Sequence, residues 1–206
     1  MSDDVRAAVV AERREQAELL AGLSPRQWDA PTLCAGWRVR EVIAHTTMAY
    51  RTSMPKVLWE IAKAGGRFNK AADRMARADA ARLTSDELVK CLRDNVEHPW
   101  TPPGGGQVGA LSHDVIHGLD VTIALGIDRT IPERVALVVE SMTPKNVGYF
   151  GADLSGVSLR ATDLEWTFGE GDPVHGTAAD LLMVICGRSL PAGRLSGDHA
   201  ARFAAA

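Results

Sequence analysis

The chain has 206 residues, of which 46% are hydrophobic and 24% charged, and its formal net charge is -3. This length and balance are typical of a globular protein with one large domain or two small ones. Nucleic-acid surfaces need clustered positive charge, so a small negative charge with both signs spread along the chain argues against a nucleic-acid partner. The sequence contains no bilayer-length apolar run and no signal-peptide core, which predicts a cytoplasmic protein without a membrane partner.

The three cysteines, Cys34, Cys91 and Cys186, are odd in number and widely spaced, and they form no CxxC motif. This pattern predicts neither a disulfide framework nor a cysteine zinc site. We therefore expect small buried or half-buried side chains at these positions.

The N-terminal half has the periodicity of amphipathic helices. Residues 3–21 place their apolar side chains near one helix face, although Glu12 and Gln16 interrupt that face. The glycines and prolines of residues 22–37 predict an ordered loop after it. A second helical pattern starts at residue 38, and Pro55 is expected to kink or divide it. Later helices are expected over residues 69–83, 84–98 and 107–125. Thr84 or Ser85 can cap the N-terminus of the second of these.

After Gly126 the pattern changes. The alternating stretch VSLRATDLEWTFGEG, residues 157–171, predicts a short hairpin, whereas TAADLLMVICGRS, residues 177–189, predicts a buried helix. We therefore expect a mainly α protein with a small α/β C-terminal region.

Three histidines border predicted core faces. His113 and His117 lie about 40° apart on one helix and share their stripe with Asp120, while His45 lies at the edge of an earlier helix. Two imidazoles at i and i+4 can reach one metal ion, and a third from another helix would complete a set with open coordination positions. The alternative is that these side chains are solvated or hydrogen-bonded histidines. The other histidines are predicted to have no special role: His98, His175 and His199.

Three stretches resemble one family. Residues 18–47, ELLAGLSPRQWDAPTLCAGWRVREVIAHTT, are similar to the opening of the mycothiol-dependent maleylpyruvate isomerase family of the DinB-like superfamily. The family phrase C-x-G-W-x-V-x-x-V-x-x-H ends here on His45. Residues 109–126 resemble a later phrase ending in H-x-x-D, although His113 stands where the family often has Glu. Residues 162–198 are similar to the sterol-carrier-like C-terminal domain of the actinobacterial members.

The resemblance implies an architecture and a metal site. It implies a DinB-like four-helix bundle over residues 1–128 and a small α/β C-terminal domain over 129–206. The metal ligands would be His45, His113 and His117.

The resemblance also points to further site residues. Arg188 corresponds to a C-terminal arginine of the family, which implies a catalytic and cofactor-binding role, although an arginine at a helix end can equally be solvated. Trp37 would line the site and bind the cofactor, or it packs as a loop anchor. Asp120 would orient His117 or face solvent.

The function implied is that of a divalent-metal enzyme that uses a low-molecular-weight thiol, mycothiol, for S-transfer or isomerisation of an electrophilic substrate. Zinc is the first candidate for the metal, and nickel and iron are the others. The histidine at position 113 favours a thiol transferase over the isomerase itself. The alternative is a metal-containing module that binds a small molecule or lipid without turnover. A homodimer would be unsurprising for such a bundle.

Overall fold

The structure is a computed structural model and describes residues 2–205. It divides the chain into two compact units, Met1–Asp114 and Val115–Ala206. The division falls within a single helix, so this helix contributes its first half to one unit and its second half to the other.

The N-terminal unit is helical. Its core contains Val9, Ile43, Leu88 and Leu92, none of them more than 2% exposed. α1 packs on α7, α3 packs on α6 and α7, and α5 packs on α6. The helices are α1 (Ser2–Ala21), α2 (Pro25–Trp28), α3 (Val39–Thr46), α4 (Met48–Arg51), α5 (Met54–Lys63), α6 (Phe68–Arg82), α7 (Ser85–Asp94) and the start of α8 (Gly106–Thr122).

Most helix boundaries of this unit follow the sequence signals. Pro55 lies in the first turn of α5, so it divides the second helical pattern as predicted. Thr84 caps α7 by accepting a hydrogen bond from the Glu87 amide. The ordered loop predicted over residues 22–37 contains one short helix, α2, because Ser24 and Gln27 form a capping box that starts it.

The C-terminal unit combines helices with a small sheet. The strand order is β2-β1-β3, in which β1 runs antiparallel to β2 and parallel to β3. α11 packs on β1, β3 and α9. Besides the end of α8, the elements are α9 (Pro132–Glu140), α10 (Pro144–Phe150), β1 (Val157–Ala161), β2 (Thr167–Gly169), β3 (Asp172–Gly176), α11 (Ala178–Ile185) and a final 3-10 turn (Ala200–Phe203).

The predicted fold class is confirmed. The hairpin predicted over 157–171 is β1 and β2, and the predicted buried helix is α11. The sequence reasoning missed β3, α9 and α10. None of the helices over residues 2–205 is long and apolar enough to cross a membrane.

None of the three cysteines forms a disulfide within residues 2–205. Cys34 and Cys91 are half-buried. Cys186 is buried, and burial raises the pKa of its thiol to about 12. A thiol that stays protonated at neutral pH is a poor nucleophile, so Cys186 serves packing.

Candidate metal centre

Two of the predicted metal ligands meet in the N-terminal unit. His45 lies near the end of α3 and His113 lies in α8, and their Nε2 atoms are 3.3 Å apart. Their rings are tilted by 50° with centroids 5.3 Å apart. The two imidazoles therefore direct the same ring nitrogen at one point.

The third predicted ligand, His117, lies one turn further along α8. Each of His45, His113 and His117 offers one ligand nitrogen, and these nitrogens all lie within 4.8 Å of one another. The side chain of His113 is 17% exposed and that of His117 is 13% exposed. Both side chains are therefore partly exposed to solvent.

A buried ion pair orients His113. Nδ1 of His113 donates to Asp114 Oδ1 at 3.0 Å, because a carboxylate can only accept. The other oxygen of Asp114 accepts a 2.7 Å hydrogen bond from Nε of Arg13, which lies in α1. The side chains of Arg13 and Asp114 are only 1% and 4% exposed. We call Arg13, Asp114 and His113 the first triad.

The polar residues of α1 also hold the α8 backbone at the same point. Gln16 donates from its side-chain amide to the Asp114 carbonyl at 2.6 Å and to Glu12. Arg13 makes a second hydrogen bond, to the carbonyl of His98 at 2.7 Å. The three buried polar side chains of α1 thus fix where His113 sits.

A second ion pair orients His117 in the same way. Nδ1 of His117 donates to Asp120 Oδ2 at 3.0 Å. Nε of Arg188 donates to Asp120 Oδ1 at 2.8 Å, and its Nη2 donates to Oδ2 at 3.0 Å. Asp120 is fully buried. We call Arg188, Asp120 and His117 the second triad.

The charge state of Asp120 follows from these contacts. Burial alone would raise the pKa of Asp120, but the hydrogen bonds and charges of His117 and Arg188 outweigh burial and hold the pKa below its usual value. Asp120 is therefore an anion at neutral pH, and it can only accept hydrogen bonds.

The end of α11 places Arg188. Gly187 adopts a left-handed φ of 70°, its amide donates to Val184, and the Arg188 amide donates to Met183. This pair of bonds is the Schellman motif, which strongly favours glycine at the left-handed position. The CGR phrase thus turns the chain so that Arg188 faces Asp120.

The two triads determine which ring nitrogen of each α8 histidine carries the proton. Since Nδ1 of His113 and of His117 carries the proton, Nε2 of each neutral ring keeps its lone pair. Nitrogens bound to zinc at about 2.0–2.1 Å in tetrahedral geometry would lie about 3.3 Å apart. The separation of Nε2 between His45 and His113 is also 3.3 Å. The His45–His113 pair therefore fits two ligands of one divalent ion, and His117 offers the third imidazole within 4.8 Å.

Aromatic side chains lie against two of the three histidines. The ring of Trp37 is 5.2 Å from that of His45, and the ring of Trp100 is 5.1 Å from that of His113. The indole N–H of Trp37 donates to Asp73 at 2.7 Å, which fixes this ring. Both tryptophans are half-buried, so they offer flat apolar surface beside the imidazoles.

Within each unit, the structure places most of the residues singled out in the sequence in contact with one another. Trp37 lies against His45, and Asp120 orients His117 rather than facing solvent. Arg188 does bind a carboxylate bidentately, and that carboxylate is Asp120. Its catalytic and cofactor-binding role stays a prediction.

The remaining histidines have ordinary surroundings. His98 accepts a hydrogen bond from the Trp100 amide. Burial, with the positive charges of Arg13 and Arg6, lowers the pKa of His98. His199 pairs with Asp172 at the surface.

Sequence reasoning missed three residues of the site: Arg13, Asp114 and Trp100. The interruption of the α1 apolar face by Glu12 and Gln16 was a usable signal, because polar residues on a core-facing stripe need buried partners. No comparable signal marked Trp100.

The fold and the site define a class of helical protein with three clustered histidines. An aspartate orients each of the two histidines on α8. The model of the mycothiol maleylpyruvate isomerase N-terminal domain family matches residues 9–98. The matched segment contains His45 and Trp37. The resemblance seen in the sequence is confirmed.

Solved structures extend the likeness of the fold beyond the matched domain. The chain is similar to the crystal structure of a mycothiol-dependent maleylpyruvate isomerase, with a TM-score of 0.52 and 13% identity. The likeness covers 97% of this chain and 94% of that one. A histidine-to-alanine mutant of that enzyme gives the same values. None of the curated proteins matches this chain.

Proposed function

We propose that this protein is an enzyme that binds a divalent metal through His45, His113 and His117 and uses a low-molecular-weight thiol on an electrophilic substrate. The observation that carries the proposal is the convergence of three imidazole nitrogens within 4.8 Å of one another. Three protein ligands leave at least one position open, which is the ligand count of catalytic rather than structural zinc sites. The family of the N-terminal domain supports mycothiol as the thiol.

The metal supplies one piece of chemistry when bound, which is to stabilise the thiolate form of a bound thiol at neutral pH. The sulfur then forms a bond to an electrophilic carbon. In S-transfer a leaving group departs with the electron pair of its bond, and in isomerisation the same carbon–sulfur bond breaks again after rotation. Zinc is the metal we propose, with nickel and iron as alternatives.

Protein side chains orient the metal ligands and limit access of water to them. Asp114 and Asp120 occupy Nδ1 of the two α8 histidines, so those rings act as ligands and not as general bases. Trp37 and Trp100 narrow the approach to His45 and His113 and exclude water on their sides. We propose that Trp37 contacts the bound thiol. Arg188 supports the site through its hydrogen bonds to Asp120, and we expect Arg188 also to contact the thiol directly.

One observation bears on the alternative of a binding module without turnover. The C-terminal unit contains an apolar cavity of about 230 Å³, lined by Leu190, Pro191, Leu195, Ala200 and Phe203 among others. Sites for drug-sized ligands have volumes of about 300–1,000 Å³. This cavity is smaller than that range, whereas a second cavity of the same unit, lined by Leu119, Ile131 and Val135 among others, is about 350 Å³ and lies within it. Cavity volume therefore keeps the binding module as the alternative, and turnover separates the two.

The experiment is a turnover assay on untagged protein. Metal content is measured by elemental analysis, and consumption of mycothiol is followed with a maleyl acid or a haloarene as acceptor. Turnover that requires the metal supports the enzyme. Tight, metal-dependent binding of thiol without product would support the binding module instead.

A further inference from the structure

We infer that Arg13 and Arg188 are positioning residues, which act through Asp114 and Asp120 to keep the α8 histidines in the Nδ1–H tautomer and so leave Nε2 available for a metal. This inference rests on the proposed function. Neither arginine contacts an imidazole in the hydrogen bonds described above. Each donates to the aspartate that accepts from the imidazole.

The first step of the argument is geometric. In both triads one aspartate accepts from a histidine Nδ1 and from an arginine Nε. The two triads come from different elements, α1 in one case and the end of α11 in the other. The same three residue types in the same donor order at both α8 histidines indicate a shared requirement of those histidines.

The second step concerns burial. Asp114 is 3% exposed and Asp120 is fully buried, so the oxygens of each must find hydrogen-bond donors within the protein. Arg13 meets this need in the first triad, and its guanidinium also lies over the Tyr50 ring at 5.4 Å. In both triads Nε of the arginine holds one carboxylate oxygen, and the other oxygen faces Nδ1 of the histidine. The arginine therefore fixes the orientation in which its aspartate accepts from the imidazole.

The third step follows from what an amide would do in place of the carboxylate. In Asp114→Asn, Nε of Arg13 still needs an acceptor, so it takes the amide oxygen, and the amide NH2 then faces His113. The imidazole must accept at Nδ1 and carry its proton on Nε2. The same reversal follows for His117 in Asp120→Asn. The wrong tautomer blocks the nitrogen that would bind metal.

Two measurements on the metal-free and metal-titrated protein test the inference. Long-range ¹H–¹⁵N correlation spectra of the metal-free protein report which ring nitrogen is protonated. We expect Nδ1–H for His113 and His117 in the wild type, and Nε2–H for His113 in Asp114→Asn and for His117 in Asp120→Asn. In a competition titration with a chromophoric chelator, the Kd for Zn²⁺ should rise about 10-fold to 100-fold in each variant.

The control is Asp180→Asn. Asp180 is 2% exposed and accepts from Nε of Arg194, but its described side-chain partners are Arg194 and Thr177. It reproduces the loss of a buried carboxylate beside an arginine without a histidine. We expect wild-type tautomers and a Kd for Zn²⁺ within about twofold of the wild type.

A milder pair of variants covers the case in which a buried substitution prevents folding. The side chains of Arg188 and Arg194 are 17% and 35% exposed, so both can be replaced by glutamine. Arg188→Gln should weaken Zn²⁺ binding, less than Asp120→Asn does, while Arg194→Gln should not. Wild-type tautomers and wild-type Kd in Asp114→Asn, Asp120→Asn and Arg188→Gln would overturn the inference. Failure of the wild type to bind Zn²⁺, with the expected tautomers present, would instead overturn the proposed function.

Discussion

Nε2 of His45 and Nε2 of His113 face each other at 3.3 Å, although the two residues are 68 positions apart in the sequence. Two ring nitrogens at this distance either share a proton or share a metal ion. Asp114 accepts a hydrogen bond from Nδ1 of His113, so Nε2 of this neutral ring is an acceptor. Such a nitrogen can accept a hydrogen bond from His45 or bind an ion, and the proposed function predicts the ion.

We expect untagged purified protein to carry close to one equivalent of zinc or another first-row divalent ion. Replacing His113 or His117 with alanine should release most of it, because two imidazoles hold such an ion far less tightly than three. Elemental analysis gives the measurement. His199→Ala is the control, because His199 lies at the surface and pairs with Asp172. Unchanged metal in His45→Ala, His113→Ala and His117→Ala would show that the site is misassigned.

Replacing Trp37 or Trp100 should weaken binding of the thiol and leave the metal in place. We expect Trp37→Ala and Trp100→Ala to raise KM for the thiol about threefold to tenfold, since an aromatic contact contributes about 0.5–1.5 kcal/mol. Steady-state kinetics with parallel metal analysis make the measurement. Trp166→Ala is the control, because Trp166 stacks on Phe168. A KM equal to that of the wild type in both variants would remove the tryptophans from the site.

Gly187→Ala should destabilise the protein. An L-residue in the left-handed region costs about 1–2 kcal/mol, and the added Cβ would also lie 3.0 Å from the Phe150 carbonyl oxygen. Gly193→Ala is the matched control, because Gly193 also has a positive φ but nothing lies within 4 Å of an added Cβ. Urea denaturation of both variants measures the difference. Equal losses would mean that the close approach to Phe150 adds nothing.

The contribution of Asp120 to stability should depend on pH in a defined direction. Its folded-state pKa is depressed, so its ionised form stabilises the fold above the unfolded-state pKa of about 3.9, and this stability is lost as pH falls through the folded-state pKa. The free energy of unfolding of metal-free wild type should exceed that of Asp120→Asn at pH 7, where the Asp120 carboxylate is ionised. Below about pH 4 the difference should shrink. A difference that is the same at pH 3 and pH 7 would contradict this assignment.

The helices and the three histidines were predictable because their signals are local. Pro55 and Thr84 start helices by rules that involve only neighbouring residues, and the spacing of His113 and His117 places them on one helix face. That His45 lies beside them came from the family resemblance, because no local pattern reports a contact across 68 residues.

The residues that orient the histidines were not predictable in the same way. Arg13 and Asp114 are 101 positions apart, and their pairing depends on how α1 packs against the start of α8. The sequence showed only that polar residues interrupt the apolar face of α1. β3 was missed for a related reason, since it pairs with β1, which is distant in the sequence. Its five residues also begin with Asp172 and Pro173 and end with Gly176, which are all unusual in strands.

The rate of mycothiol consumption as a function of pH tests the central claim most directly. It is measured with one acceptor for three samples: holo-protein, chelated protein and His45→Ala. A metal-held thiol ionises below its free pKa of about 8.5, so the holo-protein rate should persist at pH 7, where the uncatalysed reaction fades. Below about pH 6 it should fall, because protonation of the ligand histidines releases the metal. Equal rates in all three samples at every pH would contradict the account.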